Sequence, residues 1–371
     1  MKIAMIGPVY PYRGGIAHYT GRLAQALLEE GHETRVFSFR RQYPAWLYPG
    51  ESDRDPSQEA LRTPAEYLLD PLYPWTWFQT ASAVAAFRPE RVVVHWWTTF
   101  WGAPFALLGR RLRRRGLPLV YMIHNVLPHE KRPWDTWLAR QALRQGQVFI
   151  TQTARERERL QELLPGVRAA VHPHPIYARL GSESLTRGQA RRLLDLPLEG
   201  PVLLFFGIVR PYKGLEVLLE ALGRLRERGQ TPCLVIAGEF WEDKSRYLTR
   251  LQALGLQAQV RVLDRYIPNE EAHRLFTAAD LLVAPYTGGT QSGAASLGLG
   301  YGLPMIVSEQ VAAGIPPENR ARLQAVAPGE AQALAEALER FLLAPPPPPA
   351  EAASPPEDEW RRLARALVEA A

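Results

Sequence analysis

Short apolar runs alternate with amphipathic stretches along most of this chain. Lys2-Ile3-Ala4-Met5-Ile6-Gly7 reads as a first strand. After a Pro/Tyr/Gly loop, apolar positions from Ala17 to Leu28 recur at helical spacing, and Gly31-His32 ends that helix. Strands are predicted at Thr34 to Phe39, Arg91 to His95, Leu119 to Ile123 and Val148 to Ile150, with helical stretches between them. The rhythm restarts after Pro201, with strands at Val202 to Phe206, Cys233 to Ala237, Val260 to Leu263, Leu281 to Ala284 and Met305 to Val307. Helices are predicted at Gly214 to Arg226 and Lys244 to Leu254, with helical stretches from Glu270 and Ser292. Strands alternating with helices predict parallel sheets covered on both faces, here in two doubly wound α/β units joined near Tyr177 to Gly200.

Two segments break the pattern. Residues 40–77 are rich in Tyr, Trp, Pro and acids and too long for an idle connection, so they either line a cleft or form a surface insertion packed by its own aromatics. Pro345 to Pro349 forms an extended spacer, followed by an amphipathic terminal helix over Glu357 to Val368. The expected domains are 1–178, 179–344 and a tail, 345–371, whose helix reaches back to the first. A length of 371 residues agrees, because single cores rarely keep growing past about 250–300 residues.

The composition is 46% hydrophobic and 22% charged, that of an ordinary globular protein, which argues against overall disorder. A net charge of +6 favours acidic partners, but no basic tract is interleaved with aromatics, so nucleic acid is not expected. The single cysteine, Cys233, lies in an apolar strand, leaving no disulfide framework or cysteine zinc site. With no secretion signal at Met1 to Gly7 and no apolar run of about 18 residues, a cytoplasmic location is the default. Arg110 to Arg115, with Phe105, Leu107 and Leu108, would make a basic amphipathic helix suited to the inner face of an anionic membrane.

The chemistry concentrates at glycine corners that follow strands. Leu203 through Gly214 is a buried strand opening at Gly207 into a loop that carries Arg210 and Lys213. Cations placed there, before a helix N-terminus, would neutralise a diphosphate leaving group. A second corner runs from Ala284 to Ala294, where Gly288, Gly289 and Gly293 admit close backbone approach and Ser292 can cap the next helix. Gly14-Gly15 forms a third turn, without the G-x-G-x-x-G or P-loop spacing. Asp53-Arg54-Asp55 has a metal-holding D-x-D pattern but falls in the irregular segment, and His124 and His129 lack the one-face spacing of a zinc helix, so no metal is expected.

Together these corners resemble the retaining glycosyltransferases of family 4, with the GT-B fold of two Rossmann-like domains facing each other across a cleft. The likeness rests on Gly14-Gly15, Gly31-His32, His124, Gly207 through Lys213-Gly214, Ala237-Gly238-Glu239 and Gly302-Leu303-Pro304. It implies a metal-independent, retaining transfer of sugar from a nucleotide-diphosphate donor of UDP or GDP type, with no cofactor. The acceptor would be a sugar or lipid-linked sugar in cell-envelope or polysaccharide synthesis. Arg210 and Lys213 would hold the diphosphate, Gly15 would approach it, and His124 would meet the donor sugar. Glu239, in the Ala237-Gly238-Glu239 corner, joins the donor-binding set, and Asp264-Arg265-Tyr266-Ile267 would meet the base. Two departures stand out. Gly289 and Leu297 occupy the places of the family's paired glutamates, and Ile208 follows the strand-end glycine where the family has arginine. A sub-branch with a Thr-Gln-Ser-Gly turn fits better: Gln291 would take over some sugar contacts, the Gln291-Ser292-Gly293 turn would grip the diphosphate together with Arg210 and Lys213, and Ala294 would join the donor-binding set. The competing readings are a nucleotide-sugar epimerase on the same fold and a non-catalytic nucleotide-sugar-binding protein.

Overall fold

The computed structural model describes residues 1–128, 132–289, 291–345 and 356–369. His129 of the histidine pair, Thr290 of the Thr-Gln-Ser-Gly turn and residues 346–349 of the proline run lie outside the described residues. The chain divides into two compact units. One comprises Met1–Asp55, Ala60–Pro175 and Glu357–Ala371, the other Pro56–Glu59 and Ile176–Pro356.

In the first unit, the apolar runs become β1 (Lys2–Ile6), β2 (Glu33–Phe39), β4 (Arg91–Trp96), β5 (Leu119–Ile123) and β6 (Val148–Thr151). Around them run α1 (Gly15–Glu29), α2 (Pro74–Ala86), α3 (Gly102–Arg113), α4 (Asp135–Leu143) and α5 (Ala154–Leu163). The sheet is parallel throughout, in the order β3-β2-β1-β4-β5-β6-β7. Its outer strands, β3 (Ala65–Leu69) and β7 (Ala169–Val171), escape the apolar pattern because as edge strands they are only partly covered. The segment 40–77 is therefore neither a pure cleft lining nor a free-standing insertion. It supplies β3, which pairs with β2, and the start of α2. Its Asp53-Arg54-Asp55 run serves packing: Arg54 bridges Tyr12 and lies over its ring, and Asp55 is buried 3.6 Å from the His18 Nε2.

The second unit repeats the architecture with β8 (Val202–Phe206), β9 (Cys233–Ala237), β10 (Val260–Leu263), β11 (Leu281–Ala284), β12 (Met305–Ser308) and β13 (Leu323–Val326), parallel in the order β10-β9-β8-β11-β12-β13. The helices are α6 (Arg187–Leu193), α7 (Leu215–Glu227), α8 (Ser245–Ala253), α9 (Asn269–Ala278), α10 (Gly293–Gly300), α11 (Glu309–Ala313) and α12 (Ala331–Leu343). Here α6 corrects the reading of 177–200 as a plain joint. Thr186 and Gln189 form a capping box that starts a short helix where the apolar pattern is thin. Each face of this sheet has its own core. On one, α7 buries Leu215, Leu218, Leu219, Leu222 and Leu225, each contributing about 1.5–3 kcal/mol over its exposed state.

The last helix, α13 (Pro356–Glu369), packs on α1 within the first unit. Its stripe of Trp360, Leu363, Ala364 and Leu367 is buried, Arg365 bonds to Glu30 at 2.6 and 3.0 Å, and Trp360 meets the Tyr19 ring edge-on at 5.0 Å.

Candidate functional site

In a doubly wound sheet, ligands settle beyond the carboxyl ends of the strands where the strand order reverses. In the second unit that point lies between β8 and β11, and the two corners there are locked together. A Cβ on Gly214 would come 2.0 Å from the Pro285 carbonyl oxygen, and one on Gly238 would come 2.2 Å from that of Gly207. Their φ angles, 73° and 151°, also exclude ordinary side chains. Backbone bonds complete the frame: Val209 N–H donates to Glu239 O at 2.9 Å, and Thr287 N–H to Tyr212 O at 2.8 Å.

Lys213 and Arg210 both rise from this frame. Lys213 Nζ donates to the Tyr286 hydroxyl at 2.6 Å, lies 4.3 Å from that ring's centroid, and would be 3.7 Å from a Cβ on Gly207. Burial lowers its pKa, but the phenol oxygens of Tyr286 and Tyr212 outweigh burial and raise it overall, so the ammonium stays charged. The Arg210 guanidinium lies over the Trp241 ring at 5.4 Å, and Trp241 Nε1 donates to Glu239 at 2.7 Å. Glu239, 7% exposed, is thus engaged beside the cations. Ser292 caps α10, accepting the Ala295 N–H at 3.1 Å, and its hydroxyl is 2.8 Å from that of Tyr286. Among the described residues the buried Gln291 Nε2 has no hydrogen-bond partner. Gly293 is exposed and Ala294 is buried behind it in the first turn of α10. Tyr266 is half-buried one strand further along, and Ile267 turns its side chain into the core, leaving only its backbone to a ligand.

The equivalent reversal in the first unit lies between β1 and β4. Gly14, at φ 104°, begins α1 and Gly15 is its first residue. Beyond β4 and β5 sits a buried histidine chain. Gln152 Nε2 donates to His124 Nδ1 at 3.0 Å, which puts the proton of neutral His124 on Nε2, facing His95 Nδ1 at 3.1 Å. Tyr19 of α1 packs edge-on against His124 and His174 at 4.7 and 5.1 Å. Both ring nitrogens of His124 are therefore engaged inside its own unit. Burial holds His95 down at about 3 and His174 at about 4, and burial with the two neighbouring histidines depresses His124 well below its usual range.

That cluster predicts acid sensitivity. Histidines with depressed folded pKa values contribute stability that is complete above the unfolded value of about 6.5 and is lost as pH falls towards the folded value. The unfolding free energy from urea titrations should drop between pH 6.5 and about 4, by about 1.4 kcal/mol per pH unit for each histidine, and the urea midpoint with it. A midpoint that stays flat through that window would contradict the buried neutral cluster.

Two cavities lie away from these corners. One of about 530 Å³ opens at the amino ends of β8, β11 and β12, beside Pro201, Asp280 and Pro304, where Asp280 is tied to Arg187 and Arg191. The other, about 410 Å³, lies between α2 and α3, lined by Phe78, Leu107, Arg110, Arg111, Arg114 and Arg115. Among the described residues no group of three metal-binding side chains occurs, and no helix is long and apolar enough to cross a membrane.

Tyr286, Trp241, His95 and Gln152 carry much of this geometry without having been singled out as site residues in the sequence. Tyr286 and Trp241 sit two and four residues past strand ends, the one signal that marked them. His95 and Gln152 adjoin strand ends and otherwise look like core.

Comparison with known proteins bears on both units. Residues 14–176 match the model of a glycosyl transferase 4-like domain, and residues 200–343 that of glycosyl transferases group 1. The chain is similar to a GDP-mannose:glycolipid 4-beta-D-mannosyltransferase of Xanthomonas campestris, 30% identical over 54% of this chain and 53% of that one. The chain thus spans about half the length of that relative. A D-inositol 3-phosphate glycosyltransferase of Streptosporangium roseum is 29% identical over 73% of this chain and 67% of its own. In structure the chain is similar to a sucrose-phosphate synthase from Thermosynechococcus elongatus, at a TM-score of 0.69 and 19% identity, covering 99% and 94% of the two chains. Residues 14–176 are thus a glycosyl transferase 4-like domain and residues 200–343 a glycosyl transferases group 1 domain, carried on the two parallel Rossmann-like units of the GT-B fold.

Proposed function

We propose that this chain transfers a sugar from a UDP- or GDP-type donor to a glycolipid or other sugar acceptor, without a metal and with retention of anomeric configuration, in cell-envelope glycan synthesis. The observation that carries the reading is the pair of cations, Arg210 and Lys213, on a glycine-locked corner at the order reversal between β8 and β11. A leaving diphosphate gains negative charge as the glycosidic bond breaks, and fixed cations in a partly buried site stabilise that charge without reorganising. Gly14 and Gly15 open α1, whose N-terminal end favours an anion such as a phosphate. Gln291 takes over some of the sugar contacts of the absent glutamates, Ser292, Gly293 and Ala294 meet the diphosphate at the start of α10, and Gly207, Gly238, Glu239, Tyr266 and Ile267 complete the donor site. His124 is the first unit's contact to the donor sugar in this reading. It is given no proton-transfer role, because Gln152 and His95 occupy its ring nitrogens.

The acceptor class draws on the glycolipid named for the Xanthomonas relative and on the arginine cavity between α2 and α3, where Arg111 lies over the exposed Phe78 ring. Arginines beside exposed aromatics suit an anionic bilayer surface.

The test is incubation with GDP- and UDP-sugars and a glycolipid in anionic liposomes. Expected results are release of nucleoside diphosphate that chelators leave unchanged, a product keeping the donor's anomeric configuration by NMR, and sedimentation of the protein with the liposomes. An altered free nucleotide sugar without acceptor would point instead to an epimerase. Tight donor binding with no turnover would leave a binding protein.

A further inference from the structure

Tyr286 stands between the two groups assigned to the donor phosphates. Lys213 Nζ, an ammonium with donors only, takes one lone pair of the Tyr286 oxygen at 2.6 Å. The same oxygen is 2.8 Å from Ser292 Oγ. Ser292 Oγ also accepts the Ala295 N–H that starts α10.

The proton positions follow from counting. Tyr286 is 2% exposed, and among the described residues Ser292 is the acceptor within reach of its O–H. Were Ser292 the donor of that bond, a buried phenol proton would be left without a partner, which is costly. The chain therefore runs one way, from the Lys213 ammonium to the Tyr286 oxygen and from the Tyr286 O–H to Ser292 Oγ. With one Oγ lone pair taken by Tyr286 and the other by Ala295 N–H, the Ser292 proton is left to point away from the chain. A charge at the head of a hydrogen-bond chain polarises each following bond, so that hydroxyl is also a strengthened donor.

We infer that Tyr286 is a positioning residue: it fixes the Lys213 ammonium and turns the Ser292 hydroxyl into an obligatory donor aimed at an anionic oxygen of the bound nucleoside diphosphate. This rests on the donor reading above, and it adds a residue that touches no substrate itself. The phenol ring keeps its packing against Tyr212, centroids 6.0 Å apart, whether or not the hydroxyl is present. Tyr286→Phe therefore removes the relay and keeps the shape.

The experiment is calorimetric titration of the full chain with GDP and with UDP, using wild type, Tyr286→Phe, Ser292→Gly and the double variant. Glycine is chosen at Ser292 because it retains most capping strength while removing the hydroxyl. We expect Tyr286→Phe and Ser292→Gly each to weaken binding of the diphosphate that wild type accepts by about tenfold. The double variant should fall short of the hundredfold product by about fivefold, because the two groups act as one relay. Side chains that only support the fold would give additive losses, so the full product overturns the inference, as does wild-type affinity in Tyr286→Phe. Should Tyr286→Phe not fold, undiminished affinity in Ser292→Gly overturns it and a tenfold loss supports the outward hydroxyl. Failure of wild type to bind either diphosphate overturns the donor reading and this inference together, an outcome distinct from wild-type binding with an indifferent Tyr286→Phe.

Discussion

Lys213→Ala is expected to lower kcat/KM for the nucleotide-sugar donor by about 10²–10³, the usual loss when one fixed donor to a developing anion is removed. The size follows from the setting. The ammonium lies among Tyr286, Tyr212 and the Gly207 backbone, where partial burial strengthens its field and water cannot readily replace it. Removing it leaves the Tyr286 oxygen without its strongest partner. Lys213→Arg should recover little, since a planar guanidinium does not fit where a point charge is seated over one ring. Initial rates of nucleoside diphosphate release across donor concentrations would check this. Turnover within about threefold of wild type would remove Lys213 from the mechanism and with it much of the functional reading.

Gly238→Ala should destabilise the second unit by about 3 kcal/mol or more, lowering its melting temperature by about 6–12 °C. The added methyl meets the Gly207 carbonyl oxygen at 2.2 Å, and a clash between two backbones cannot be relieved by a rotamer change. At φ 151° an alanine would be strained even before that contact. The corners that carry Arg210 and Glu239 are held by this approach, so diphosphate affinity should fall with stability. Gly188→Ala, in the first turn of α6 with nothing within 4 Å of the new methyl, is the control and should cost nothing. Equal melting temperatures for the two variants would show that the strand-end corners tolerate separation.

The architecture was legible in sequence because both sheets are parallel and their central strands are buried on both faces. Such strands must be nearly continuous apolar runs, which is why Leu119–Ile123, Val202–Phe206 and Leu281–Ala284 carry clear bounds. Edge strands face water on one side and mix polar with apolar residues, so β3 and β13 gave no comparable signal. Helix α6 depends on a capping box rather than on apolar periodicity, and it passed as a linker.

The site divides in the same way. Glycine corners carrying Arg210, Lys213 and Ser292 could be found from sequence, because a strand, a glycine and a cation before a helix is a local arrangement. That Lys213 meets Tyr286, 73 residues later, is not local, and neither is the contact of His95 with His124 or that of Tyr19 with Trp360. Sequence determined which short stretches bear charge, glycine and apolar burial, since these depend on neighbours a few residues away. The tertiary structure alone decided which hydroxyl receives the ammonium's hydrogen bond and which histidine nitrogens are already spent. Those contacts depend on strand order, and strand order brings chain segments together regardless of their separation in sequence.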